Sequence, residues 1–481
     1  MIDSPLASAT AGAQTLQRAL ESTDSVAAYL RAAKTWDRCE PADYVPGLII
    51  PQLPSEFSLW EREQRGWRES VALFDQSHHM NGLYLTGADT LAFLTSLACN
   101  ALAHSTPGRA HQLVTCNPEG HFIGDAILFH LAPGEMFMCG APFAVNWVRY
   151  NAAISQLDVT AEYEPRSPVY ANGHGNTRRW CRYQIQGPQA WALIEKLNGG
   201  PLEDVAFFHL TELRIAGHRV QALRHGMAGA PGLEIWAPWD LRDELRGTIV
   251  EAGREFGLVL AGAMSYLSGA AESGWIANAL PAVYSESLRT YREWLPATEA
   301  EALCHLTGSF ASGRVEDYYV TPYDLGYDRL VDLEHDFIGR DALTQMDPGT
   351  SRRPASLVWA VEDASQLLAD MLDPDGPRCK ALHLPGVDGD HTVSPYNSVM
   401  MGDRPAGFGH FTAYSANERA ILTLATVERD LNVGDEVVLH WGEAGGGFGD
   451  GIVPADDIRP IRCTVGPVPY SRFARTEYRA D

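Results

Sequence analysis

Two hydrophobic rhythms alternate along the chain. From Phe57 onward, Trp60, Gln64, Trp67 and Val71 recur every three or four residues, which predicts one face of an amphipathic helix ending before Phe74-Asp75-Gln76-Ser77-His78-His79-Met80. Leu83-Tyr84-Leu85-Thr86-Gly87 then alternates like a strand, closes on glycine, and runs into Ala88 to Leu97 with Leu91, Phe93, Leu94 and Leu97 at helical spacing. The pattern returns at Tyr183-Gln184-Ile185-Gln186-Gly187, where Pro188 suits a first helical turn leading into Ala190 to Leu197. Two such strand, glycine and helix units suggest a duplicated α+β module.

Between them, Asn117-Pro118-Glu119-Gly120 is a hairpin turn in which Gly120 supplies a positive φ, followed by an apolar strand over Ala126 to Phe129. Val220 to Leu223 is a further strand. In the next one, Leu233 and Ile235 face one way and Glu234 and Trp236 the other. Asp240 to Phe256 reads as a helix with Leu241, Leu245, Ile249 and Ala252 along one side. Residues 1–40 carry only a weak helical pattern, and the four prolines from Pro41 to Pro54 predict a connector. Beyond about Arg352, β-rich runs separated by Gly, Pro and Asp turns predict a separate, mainly antiparallel domain.

Charge narrows the function classes. The 481 residues carry 37 Lys and Arg against 61 Asp and Glu, a net charge of −24, which argues against phosphate neutralisation and so against a nucleic-acid partner. The 8 cysteines are scattered without a CxxC pair, so they read as reduced packing residues. The longest near-apolar stretch, Leu258 to Met264, falls short of a membrane span, and the N-terminus lacks a basic region followed by an apolar core. A cytoplasmic protein without membrane association is expected.

Candidate chemistry is sparse. The Gly442 to Gly451 run precedes no helix or Lys-Ser/Thr pair and reads as a hairpin loop rather than a phosphate cradle. His78 and His79 lie near Asp75 without a third ligand at metal-like spacing, so no metal is expected. Asp125 is the first charge before an apolar strand, open to a cap, surface or functional role. Glu234 sits within an apolar strand, where a buried carboxylate requires donors.

Several strings occur in order: Asp75-Gln76-Ser77, Leu85-Thr86-Gly87-Ala88-Asp89, Gly124-Asp125, Gln186-Gly187-Pro188, Pro231-Gly232-Leu233-Glu234, Glu272-Ser273-Gly274-Trp275 and Phe337-Ile338-Gly339-Arg340-Asp341-Ala342-Leu343. Together they resemble the folate-dependent aminomethyltransferase (glycine-cleavage T-protein) family, from about Phe57 to the C-terminus. Longer strings around Trp67 to Met80, Arg224 to Trp236 and Tyr291 to Ala297 are most similar to its tetrahydrofolate-dependent aryl O-demethylases acting on vanillate, syringate and 3-O-methylgallate. The resemblance implies an α+β, three-domain ring: a split folate-binding domain (1–70 and 170–350), an inserted ferredoxin-like domain (71–169) and a C-terminal antiparallel β-barrel (351–481). It also implies tetrahydrofolate as methyl acceptor, a small lignin-derived methoxyaromatic as substrate, and no metal.

By the same resemblance, Tyr266 is the acid for the departing phenolate, whose acidity near that of tyrosine suits such a donor. Glu234 is expected to accept two parallel donors from the pterin edge. Asp125 is the cavity aspartate, grouped with the catalytic residues and given a positioning or electrostatic part near the folate. Trp275 and Gln76 line the folate pocket, while His79, Tyr44 and Phe143 contact substrate. One departure is plain: where the vanillate-type enzymes carry a carboxylate-gripping arginine, this chain has Ala141, leaving His79 or Arg149 as alternative anchors, or a substrate without a carboxylate. The other readings are an aminomethyltransferase or other folate-dependent C1-transferase, and a non-catalytic folate-binding iron–sulfur assembly protein.

Overall fold

The computed structural model describes residues 15–32, 53–167, 178–376, 378–386, 393–446, 457–476 and 478. The predicted helix near Phe57 spans Trp60–Glu69. Val71 does not extend it: Ser70 leaves helical geometry at φ −141°, ψ −108°, and the apolar run behind it becomes the strand Val71–Asp75. That strand pairs in parallel with Leu258–Ala261 and antiparallel with Trp180–Gln186. Gly232–Pro238, His218–Leu223 and Leu210–Ile215 follow, completing a six-stranded sheet that holds Val71–Asp75 together with segments from the 170–350 stretch.

The two faces of this sheet differ in chemistry. Val71, Leu73, Tyr183, Ile185, Leu233 and Ile235 pack beneath the helices Ala190–Asn198 and Arg242–Gly253. By the period-two rule the alternate residues point the other way. They are Phe74, Arg182, Gln184, Gln186, Glu234 and Trp236, all buried despite four of them being polar.

A second, wholly antiparallel sheet runs Ala110–Cys116, Phe122–Ala132, Glu135–Gly140, Asn81–Thr86, Thr160–Glu164. One face packs Leu83, Leu85, Leu128 and Met138 against the helices Thr90–Thr95 and Pro142–Ile154. The other meets the polar face of the first sheet through Tyr84, Phe129, Phe137 and Cys139 against Leu223 and Trp236. Each sheet contains one of the duplicated units, and the closing glycines match: Gly87 has φ 138° and Gly187 φ 137°. A Cβ at either would lie 2.1 or 2.5 Å from a backbone oxygen, of Asp158 and Ser70 respectively, so both turns demand glycine.

The C-terminal β-rich runs close into a six-stranded antiparallel barrel: Arg353–Trp359, Ala420–Val427, Arg404–Ser415, Asn397–Met401, Glu436–Trp441, Arg459–Gly466. Buried Glu272, on the helix Ala263–Ser273, ties it to the first sheet. It accepts from Trp67 Nε1 (3.2 Å), Arg68 Nη2 (3.2 Å), Ser415 Oγ (2.6 Å) and Asn417 Nδ2 (3.0 Å).

An aromatic cluster of Trp147, Tyr150, Tyr291 and Trp294 adjoins the fully buried Glu301, which accepts from Tyr291 Oη (2.7 Å) and Asn146 Nδ2 (3.0 Å). Burial pushes its pKa up to about 7 from an ordinary 4.5. Between those values the folded chain holds a proton the unfolded chain has lost, so this stabilisation is complete below 4.5 and disappears as pH rises through 7, by ~3 kcal/mol. Glu301→Gln therefore raises the melting midpoint relative to the parent at pH 8 more than at pH 5. Equal differences at both pH values would refute the assignment.

Candidate active site

Tyr266 lies in the first turn of the helix Ala263–Ser273, and buried Glu63 fixes where that helix begins. Glu63 Oε2 accepts from Gly262 N–H (2.8 Å) and Ser265 Oγ (2.7 Å), and Oε1 accepts from the N–H groups of Phe57 and Ser58 (2.7 Å each). The Tyr266 hydroxyl reaches the space between the sheets. Gln76 Nε2 donates to it (3.1 Å), it donates to Met227 Sδ (2.7 Å), and His79 Nε2 lies 3.0 Å away. Phe74 and His79 pack edge-on against the ring at centroid distances of 5.5 and 5.0 Å. Burial, reinforced by the charge of Glu234, pushes the phenol well above its usual 10, so it stays protonated at neutral pH.

Gln76 continues the strand Val71–Asp75, its N–H donating to Arg182 O (2.9 Å). Its Nε2 is shared between Tyr266 and Gln184 Oε1 (3.3 Å), while the buried Oε1 accepts no hydrogen bond from the described residues. A buried acceptor left without a donor carries a desolvation cost, and at a site it marks the place of a ligand donor.

Glu234 stands directly opposite Gln184 in the strand register. Its Oε1 accepts from Arg182 through both Nε (3.1 Å) and Nη2, and Oε2 faces His225 Nδ1 at 3.7 Å. Burial alone would raise this carboxyl; Arg182 and His225 outweigh it and hold the pKa at about 2. Of the two oxygens expected to receive pterin donors, one is thus bonded twice within the protein. Oε2 has the His225 ring at 3.7 Å, longer than an ordinary hydrogen bond.

On the facing sheet, Asp125 shares the inward parity of Phe129. Three donors converge on its Oδ2: Tyr327 Oη (2.6 Å), Trp275 Nε1 (3.2 Å) and Gln112 Nε2. Burial outweighs them and raises its pKa. Trp275 follows the C-cap Gly274 of the Tyr266 helix. From Tyr266 to Ser273, the last helical residue, seven residues at 1.5 Å each carry the backbone about 10 Å along that axis before Gly274 turns it away.

The expected residues therefore form two groups. Gln76 and His79 both touch Tyr266, with Glu234 beside them; Asp125 and Trp275 are bonded together. Phe143 packs in the aromatic core with Ile123 and Trp147, away from Tyr266. Arg149 stacks 3.6 Å over Tyr163 and pairs with Glu299 at 3.6 Å, while Ala141 caps the helix Pro142–Ile154. Tyr44 lies outside the described residues. Sequence reasoning missed Arg182, Gln184, His225, Met227, Gln112 and Tyr327. The signal for the first two was present, since polar residues alternate through Arg182-Tyr183-Gln184-Ile185-Gln186, but alternation of that kind also describes a solvent-facing strand.

Comparison with known proteins places this geometry. Residues 21–279 match the GCVT N-terminal domain family. The chain is 35% identical to a syringate O-demethylase of Sphingobium sp. over 468 residues, covering 97% of this chain and 98% of that protein. It is 24% identical to a sesamin methylene transferase of Sinomonas sp., covering 87% of this chain and 92% of that one. In fold it is similar to the crystal structure of the glycine cleavage system aminomethyltransferase T from Bartonella henselae, with a TM-score of 0.57, 16% identity, and coverage of 87% and 91% of the two chains.

Proposed function

The chain belongs to the aminomethyltransferase (glycine-cleavage T-protein) family, and from that premise we propose that it is a tetrahydrofolate-dependent aryl O-demethylase. Its substrate is a lignin-derived methoxyaromatic of the syringate, vanillate or 3-O-methylgallate type; its products are the phenol and 5-methyltetrahydrofolate. The observation that carries the reading is the buried, protonated Tyr266 hydroxyl held by Gln76, His79 and Met227, in a chain similar over nearly its whole length to a syringate O-demethylase.

The residues fit the folate. Gln76 Oε1 is buried and takes no hydrogen bond from the described residues, and beside it the Glu234 carboxylate is held charged, an acceptor pair that suits the N–H-rich edge of a reduced pterin. Glu234 and Gln76 would hold and orient that edge, and Trp275 and Asp125 would line the far side. Tetrahydrofolate, when bound, supplies the N5 lone pair that takes the methyl carbon and gives up the N5 proton, which balances the one gained by the phenol.

The work of the chain's own residues is positioning and proton delivery. Tyr266 passes its hydroxyl proton to the departing phenolate oxygen as the methyl–oxygen bond breaks. Its raised pKa is no handicap, because the same dry surroundings raise the affinity of the phenolate for a proton, keeping the transfer nearly thermoneutral. Gln76 Nε2, donating to the Tyr266 oxygen, steadies the tyrosinate that results. His79, already beside Tyr266, is the proposed contact for ring substituents, since Arg149 is engaged elsewhere. No helix among the described residues is long and apolar enough to cross a membrane.

The test is incubation of the purified chain with tetrahydrofolate and syringate, vanillate, 3-O-methylgallate or guaiacol, following 5-methyltetrahydrofolate. Folate-dependent methyl transfer from at least one is expected. Inertness toward all four, or demethylation without folate, would refute the proposal.

A further inference from the structure

The segment 225–230 contributes to both halves of the Tyr266 site. His225 faces Glu234 Oε2, and Met227 Sδ receives the Tyr266 hydroxyl. Two fully buried glutamines of the strand Trp180–Gln186 pin it from beneath. Gln184 Oε1 accepts from Met227 N–H (3.2 Å) and its Nε2 donates to His225 O (3.4 Å); Gln186 Oε1 accepts from Ala228 N–H (2.9 Å) and its Nε2 donates to Ala230 O (3.0 Å). The approach is tight enough that a Cβ on Gly226 would fall 1.1 Å from Gln186 Nε2.

The opposite side of the loop is held by a segment from beyond the barrel. The Tyr478 hydroxyl accepts from Gly226 N–H (2.7 Å) and donates to Gly226 O (2.6 Å), satisfying both backbone groups of one residue. Its ring packs edge-on against Phe207 at 5.4 Å. The helix Arg472–Thr476 rests on the same loop, where a Cβ on Gly229 would meet Ala474 Cβ at 2.6 Å. A loop gripped on two sides presents His225 and Met227 at fixed positions, and catalytic groups lose rate steeply when displaced.

We propose that Tyr478 is a positioning residue for the folate and methoxyaromatic site, acting through the 225–230 loop on Glu234 and Tyr266. The proposal rests on the demethylase reading for its kinetic consequence but not for the clasp itself. Tyr478→Phe keeps the ring and deletes the bonds to Gly226. Hydrogen exchange at the Gly226 amide should accelerate, KM for tetrahydrofolate should rise and kcat fall, together lowering kcat/KM about tenfold, with only a small drop in the melting midpoint and the chain fully folded at the assay temperature. Truncation after Thr476 should reproduce the kinetics.

A merely structural role predicts a lowered midpoint with parental kinetics at permissive temperature, and that result overturns the proposal. So does accelerated exchange with unchanged kcat and KM, or unchanged exchange. If the parental chain demethylates none of the four substrates, the demethylase reading fails, and folate titration with Gly226 exchange still decides whether Tyr478 positions the loop.

Discussion

Tyr266→Phe lowers methyl transfer by about 10²–10⁴-fold, the range for loss of a positioned general acid, while folate affinity stays at the parental level. The two readouts separate because, among the described residues, the hydroxyl bonds Gln76, His79 and Met227, whereas Glu234 sits with Arg182 and His225. Phenylalanine keeps the ring against Phe74 and His79, and Gln76 Nε2 retains Gln184 as acceptor, so the stability loss is about 1 kcal/mol. Single-turnover formation of 5-methyltetrahydrofolate, paired with a folate titration, measures both. Parental turnover in the variant would remove Tyr266 as the acid. Since burial carries its pKa above the usual tyrosine value, no loss of activity below pH 9 is to be assigned to its deprotonation.

The sequence made the outline legible because outline depends on periodicity. The helix near Trp60, the paired strand, glycine and helix units and the β-rich tail are each written in local spacing, and each is present. Val71 was misread because it continues the helical interval of Trp60 and Trp67; only the break at Ser70, a backbone event, hands it to the sheet. At the candidate site, the resemblance pointed to Tyr266, Glu234 and Asp125 but not to what surrounds them. Arg182 alternates with apolar residues as an exposed arginine would, and its burial follows only from the second sheet lying over it. His225 and Met227 sit in a loop with no period, and Tyr478 reaches Gly226 across 252 residues of sequence, a contact no local pattern encodes. Phe143 is ambiguous in the opposite sense: an aromatic side chain reads equally well as pocket wall or core, and here it packs in the cluster around Trp147.

Glu234→Gln weakens folate binding more than tenfold and also destabilises the fold, and the two effects are separable. With Oε1 paired to Arg182 and a pKa near 2, the carboxylate is fully charged at neutral pH. Its folded pKa lies below the ordinary 4.5, so its ~3 kcal/mol contribution is complete above 4.5 and is lost as pH falls through 2. Glutamine removes that charge and leaves the Arg182 guanidinium buried without a counter-ion, a change that costs about 3–5 kcal/mol. It also gives the site an amide N–H that opposes a pterin donor if it occupies the Oε2 position. The double variant Glu234→Gln with Arg182→Met deletes both charges, and its melting midpoint should recover most of the loss, because an apolar side chain of similar volume tolerates this site better than an unpaired cation. Folate affinity should not recover. Binding that returns with stability would make Glu234 a structural partner of Arg182 and nothing more. Parental affinity in the single variant would remove Glu234 from the folate contact altogether.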